Sequence, residues 1–255
     1  MKLSTVALVL ASLSLQACTP SLPSFPSITG NPDRWSYQGS SGPERWGDLQ
    51  PDFAKCKLGK QQSPIDIRYP ELAALRPIDF NYGPGTADVI NNGHTIQVSL
   101  NGSGSIRLGT TDYKLVQIHF HTPSESRING NAFPMSAQLV HKSNDGKVAV
   151  IETLYMVGNE NLALKALFDS LPTKEGEKRS LERGLNANHL LPTSRSYYGF
   201  RGSLTTPPCT EDVLWLVIKQ PLEISAAQLA TFQKLYPMNA RPVQPLNGRK
   251  VFETL

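Results

Sequence analysis

Along most of the chain, apolar residues alternate with polar ones or gather in short runs, separated by Gly, Pro and Asn. Alternation is the period of a β-strand, whose successive side chains point to opposite faces. It predicts strands at Asp79–Tyr82, Thr95–Leu100, Ile106–Leu108, Tyr113–His121, Phe133–His141, Val148–Val157 and Val213–Ile218, with a short extended run ending at Ile67. Gly83-Pro84-Gly85, Asn91-Asn92-Gly93-His94 and Asn101-Gly102 carry residue types suited to turns and hairpins. Helical spacing is confined to two segments. Asn161–Leu171 carries Leu162, Leu164, Leu167 and Phe168 and stops at Pro172. Ser225-Ala226-Ala227-Gln228 has the spacing of a capping box, ahead of the stripe Leu229, Phe232, Leu235 and Tyr236. Both stripes are packing faces. Regular short strands with few helices predict a mainly β (α+β) fold in one domain.

One strand carries candidate chemistry. In Val116–Glu125, Gln117, His119 and His121 share one face, and Val116, Ile118 and Phe120 share the other. Two imidazoles at i and i+2 can converge on one metal ion, and the Gln117 amide can hold the second ring nitrogen of the first. The alternative is a surface strand with two unconnected histidines.

Composition narrows the picture. A chain of 255 residues suits a single all-β unit, and 19 Gly with 20 Pro suit many turns. The net charge of +4, with no Lys/Arg tract, gives nucleic-acid binding no support. Beyond the N-terminus no apolar run is long enough to span a membrane. Residues 1–17 have the form of a signal peptide: Lys2, then an apolar Val6–Leu15 region. Leu15-Gln16-Ala17-Cys18 resembles a bacterial lipoprotein signal, with lipid on Cys18; ordinary secretory cleavage near Ala17 is the alternative. Residues 18–30 form a Pro/Ser-rich tether and residues 31–255 the domain. Export to the periplasm or cell envelope implies an oxidising compartment. That leaves Cys56 and Cys209 as a disulfide pair or, failing that, as two buried thiols.

The run Gly59–Ile67, the Asn91–His94 turn, Gln117–Glu125, Ser203–Glu211, Trp215 and Asn239–Leu246 together resemble the α-class carbonic anhydrases, from about Trp35 to the end of the chain. The resemblance implies a large, twisted, mostly antiparallel sheet with a few peripheral helices. It implies a Zn2+ site at the bottom of a cleft and reversible hydration of carbon dioxide to bicarbonate. In that family three His hold zinc, which lowers the pKa of a bound water to about 7 and yields a hydroxide nucleophile. His119 and His121 match the first two ligands; Gln117 and the main chain at Asn239 match their outer partners. Thr205 and Glu125 match the pair that orients the attacking oxygen, and Thr206 a bicarbonate contact. Val140, Val150, Leu204, Val213 and Trp215 match the apolar wall for carbon dioxide. His94 matches the proton shuttle, its alternative being a solvated turn histidine. Tyr37, Asn92 and Gln97 match residues that order cleft water, although each alone is an ordinary polar group. Cys56 and Cys209 match the disulfide of bacterial members.

Three positions depart from the family. Ser136 and Gln138 stand where it has Glu and the third His, and Ser126 replaces a His beside the matched Glu. Strand parity keeps Ser136, Gln138 and Val140 on the cleft side and turns His141 away. A Gln amide oxygen is neutral like imidazole but a weaker zinc donor. Three readings follow: an active enzyme with weakened metal binding at His119, His121 and Gln138; an inactive carbonic anhydrase-like binding protein of the cell envelope; or a mainly structural envelope lipoprotein.

Overall fold

The computed structural model describes residues 35–101 and 104–255. The signal peptide, the tether and Cys18 lie outside the described residues. So do Gly102 of the expected hairpin and the first four positions of the expected domain.

Most strands join one mixed 13-stranded sheet. Its middle runs in the order Ile96–Asn101, Thr111–His121, Met135–Ser143, Val148–Val157, Glu211–Ile218 and Tyr197–Ser203. Most pairings are antiparallel, but Val148–Val157 runs parallel to Glu211–Ile218. A separate three-stranded sheet joins Asp66–Ile67, Arg127–Ile128 and Asn131–Ala132.

Strand alternation divides the apolar residues into two layers. Ile118, Phe120, Leu139, Ile151, Leu216, Phe168 and Phe232 belong to the larger core, which the helices cover. Val140, Val150, Leu154, Val213 and Trp215 belong to a second cluster on the opposite face, with Leu204 packed against it. Helix Leu162–Phe168 is capped by the Asn161 side chain, and Ala226–Leu235 by the expected capping box at Ser225. Gln228 also donates to Asn161 O at 2.9 Å and accepts from Asn161 N at 2.8 Å, tying the two helix starts together. No described helix is long and apolar enough to cross a membrane.

Three expectations need correction. Gly85 lies within the strand Pro84–Asn91, because pairing of Pro84 and Gly85 to Asn186 and Leu185 overrides the turn character of Gly83-Pro84-Gly85. Val116 does not join Ile118 and Phe120 in the core. Between Val140/His141 and Gln117/Leu115 the register slips by one residue, and Val116 is bulged out, 37% exposed. The first helix stops at Phe168, three residues short of Leu171.

Lys178–Asn186 and Tyr197–Ser203 carried no clear alternation and are strands through pairing alone. Gly202 leaves room for Ser63: a Cβ there would fall 2.0 Å from Ser63 Oγ.

Cys56 and Cys209 form a disulfide across a sequence separation of 153. It pins the short helix Lys55–Leu58 to the loop that follows Ser203, in a cluster with Tyr37 and Trp46.

Candidate metal centre and active site

His119 and His121 lie near the end of the Thr111–His121 strand, their rings 5.1 Å apart and nearly perpendicular. On the neighbouring strand, Gln138 pairs in register with His119, and Ser136 with His121. The strand register therefore brings together the two imidazoles and the amide on one face. His141 points the other way: its Nε2 meets Tyr82 OH at 2.6 Å in the interior.

His121 Nδ1 lies 2.6 Å from the carbonyl of Asn239 and donates to it. That fixes the tautomer and leaves Nε2 as a bare lone pair, buried and without a hydrogen-bond partner, 3.3 Å from Glu125 Oε2. His119 Nε2 is 3.1 Å from Gln138 Oε1. His119 Nδ1 and Gln117 Oε1 are both buried without partners, so the expected bond between them is not formed. Burial holds both imidazoles neutral, lowering the pKa of His119 to about 3 and that of His121 to about 4.

Glu125 is the hub of the site. Its Oε2 accepts from the Gln138 amide nitrogen at 2.8 Å and its Oε1 from the backbone N–H of Arg241 at 2.9 Å. The Thr205 hydroxyl donates to it as well. Burial raises its pKa to about 7, against the lowering effect of those donors.

Asn239 supplies more than its main chain. Its side chain accepts from Thr122 N at 2.8 Å and donates to Phe120 O and His94 O, locking the end of the histidine strand to the His94 turn. In that turn Asn92 Oδ1 accepts from His94 N and Thr95 N, and Asn92 Nδ2 reaches Gln97 Oε1 at 3.5 Å. Gly93 takes φ +85° there, a backbone region open to glycine. The His94 ring stacks on Trp35, centroids 3.6 Å apart, and burial lowers its pKa to about 4. Tyr37 is buried, and its pKa rises through burial first and the Glu125 charge second.

Val140, Val150, Val213 and Trp215 form one buried apolar wall with Leu204 against it. Trp215 Nε1 donates to Ser203 O at 2.9 Å, anchoring the loop that carries Leu204, Thr205 and Thr206.

Three participants escaped sequence reasoning. Arg241 is buried, its guanidinium donating to Gln62 Oε1, Ser63 O and Cys56 O beside the Trp46 ring. Trp35 covers His94 through the ring stack. Glu152 is a fully buried acid inside an apolar strand, opposite Gln138. Its signal was available: an acid sharing the inward parity of Val150.

Among the described residues no three His, Cys, Asp or Glu side chains form a group able to hold a metal ion. A metal here needs Gln138. The donor set fits one: His121 Nε2 is an orphaned buried lone pair. The 3.1 Å between His119 Nε2 and Gln138 Oε1 is close to the spacing of about 3.3 Å expected for two ligands sharing one tetrahedral zinc. With a metal on Nε2, His119 Nδ1 would carry the ring proton and Gln117 Oε1 could accept it; both atoms are buried without a partner.

The mostly β fold brings together two histidines on one strand, a buried Glu–Thr pair and an apolar wall. A profile of the eukaryotic-type carbonic anhydrases matches residues 41–255, and the chain belongs to that family. It is 42% identical over 247 residues to a carbonic anhydrase of Neisseria gonorrhoeae, covering 96% of each chain. The structure of the α-carbonic anhydrase of Thermovibrio ammonificans with sulfanilamide superposes with a TM-score of 0.84 at 44% identity, covering 86% of this chain and 98% of that one. A structure of dioscorin complexed with ascorbate superposes with a TM-score of 0.81 at 35% identity, covering 87% and 98%.

Proposed function

We propose that this chain is a zinc-dependent carbonic anhydrase, hydrating carbon dioxide reversibly to bicarbonate and a proton, with the metal held by His119, His121 and Gln138. The observation that carries this reading is the convergence of His119 Nε2, the orphaned His121 Nε2 and Gln138 Oε1 beside an intact Glu125–Thr205 pair. Zinc supplies Lewis acidity there, lowering the pKa of water to about 7. An amide oxygen donates more weakly than imidazole, so the metal is held less tightly than by three histidines.

The chain's own residues do the rest. Asn239 O holds the proton of His121 at Nδ1, keeping Nε2 free to ligate. Glu125 takes the Thr205 hydroxyl proton in a hydrogen bond, which leaves the Thr205 oxygen to accept from the attacking oxygen and orient it. The apolar wall of Val140, Val150, Leu204, Val213 and Trp215 receives carbon dioxide without competing for hydrogen bonds. Thr206 holds bicarbonate. His94, neutral at pH 7, relays the product proton, and the burial that lowers its pKa to about 4 works against uptake until the ring is exposed. Tyr37, Asn92 and Gln97 border the route between.

Metal content tests this reading. After dialysis against zinc-replete buffer, purified protein should carry close to one equivalent; less than a tenth overturns it. A second reading, ligand binding without catalysis, is favoured by the Gln138–Glu125 bond, which satisfies amide and carboxylate without a metal. It predicts a folded, zinc-free protein with no hydratase activity.

The disulfide supports export to the periplasm or envelope. Anchoring through lipid on Cys18 is tested by mass spectrometry of the mature N-terminus, which should show an acylated cysteine; a start downstream of Cys18 overturns it.

A further inference from the structure

Glu152 is a carboxyl in a mostly apolar setting. It is fully buried on the strand Val148–Val157, on the cleft side with Val150 and Leu154. The Ser126 amide is 3.5 Å from its Oε1, and the hydroxyls of Ser126 and Ser136 lie beside the carboxyl. These donors lower its pKa, but by less than burial raises it. Among the described residues the charge that acts on it is Glu125, which repels it. A buried carboxyl with so little compensation is costly, and an apolar side chain of the same size would serve the core better.

Its position is informative. Glu152 pairs in register with Gln138 across two antiparallel strands. Directly opposed side chains on one face stand about 5 Å apart at Cβ. The donors gathered at that point, His119, His121 and Gln138, are all neutral. A divalent cation placed among them has only Glu125 and Glu152 as nearby counter-charges. Arg241 cannot serve Glu152, because its guanidinium is committed to Gln62, Ser63 and Cys56.

We infer that Glu152 is a supporting residue of the metal centre: its carboxylate, behind Gln138, supplies negative charge that the neutral donor set lacks and so strengthens zinc binding. This rests on the zinc reading given above. It assigns the anomalous acid a role through the metal and not through the fold.

The test compares wild type with Glu152→Gln, which keeps the shape and removes the charge. The full chain is stripped of metal, and zinc is titrated at pH 8 against a chromophoric chelator; thermal unfolding of both metal-free proteins is measured alongside. The expected result is zinc binding weakened at least threefold, with a metal-free melting temperature unchanged or raised. A loss of less than threefold overturns the inference. So does a lower metal-free melting temperature or a variant that fails to fold, since either makes the acid structural. If wild type itself binds no zinc, the proposed function falls with the inference. If wild type binds and the variant binds equally, only the inference falls.

Discussion

The amide nitrogen of Gln138 donates to Glu125 Oε2 at 2.8 Å, and this bond sets which end of the amide faces the histidines. With the nitrogen held, the oxygen is directed to His119 Nε2. Glu125 thereby has two tasks, orienting Thr205 and orienting the third donor.

Gln138→His should therefore tighten zinc binding by about tenfold or more and raise hydration turnover, since imidazole is the better donor. Metal competition and stopped-flow hydration check both. No gain in either would mean that the centre is limited elsewhere in the cleft.

Glu125→Ala removes the acceptor for Gln138, Thr205 and the Arg241 amide together. Turnover should fall by about 100-fold or more, the scale at which a single oriented group contributes, and zinc affinity should fall with it. A variant with reduced turnover and unchanged zinc affinity would show that Gln138 is held by something other than Glu125.

Trp35→Ala uncovers His94, whose pKa is lowered to about 4 by burial. The imidazole pKa should return toward its ordinary value near 6.5, read by NMR titration of the ring proton. A value that stays near 4 would assign the shift to the turn and not to the stacked indole.

His141 is buried, neutral and away from the site, with its pKa lowered to about 3 by burial. The unfolded chain binds this proton below about pH 6.5 while the folded chain does not. Its contribution to stability is therefore complete above that value and is lost as the pH falls toward 3, at about 1.4 kcal/mol per pH unit. Denaturant unfolding of His141→Gln between pH 6 and pH 4 should lose stability less steeply than wild type, by one proton. Parallel curves would show that His141 titrates normally.

Cys209→Ser opens a loop with a sequence separation of 153. In the chain-entropy treatment the loss reaches about 5 kcal/mol, with 2–5 the common range. Melting under oxidising conditions should show a large drop in the variant and little change in the wild type until reductant is added.

Much of the site was legible before any tertiary contact was known. Period-two alternation placed His119 and His121 on one face, and the capping-box spacing placed Ser225 at a helix start. Parity put Gln138 inward and His141 outward, and the bond from His141 to Tyr82 agrees. The same parity failed at Val116, because a bulge is a property of two paired strands and leaves no mark on one of them. The turn reading failed at Gly85, where pairing to Leu185 outweighed local turn preference.

By itself, the sequence determined the repeating local choices: which residues alternate, which cap, and which side of its own strand each donor takes. These follow from backbone geometry within a few residues. Tertiary structure decided the contacts between distant segments. Asn239 and Arg241 reach His121 and Glu125 from more than 110 positions away, Glu152 comes to lie opposite Gln138, and Trp35 covers His94. Those meetings depend on strand order and register, which are set when the whole sheet buries its two apolar faces.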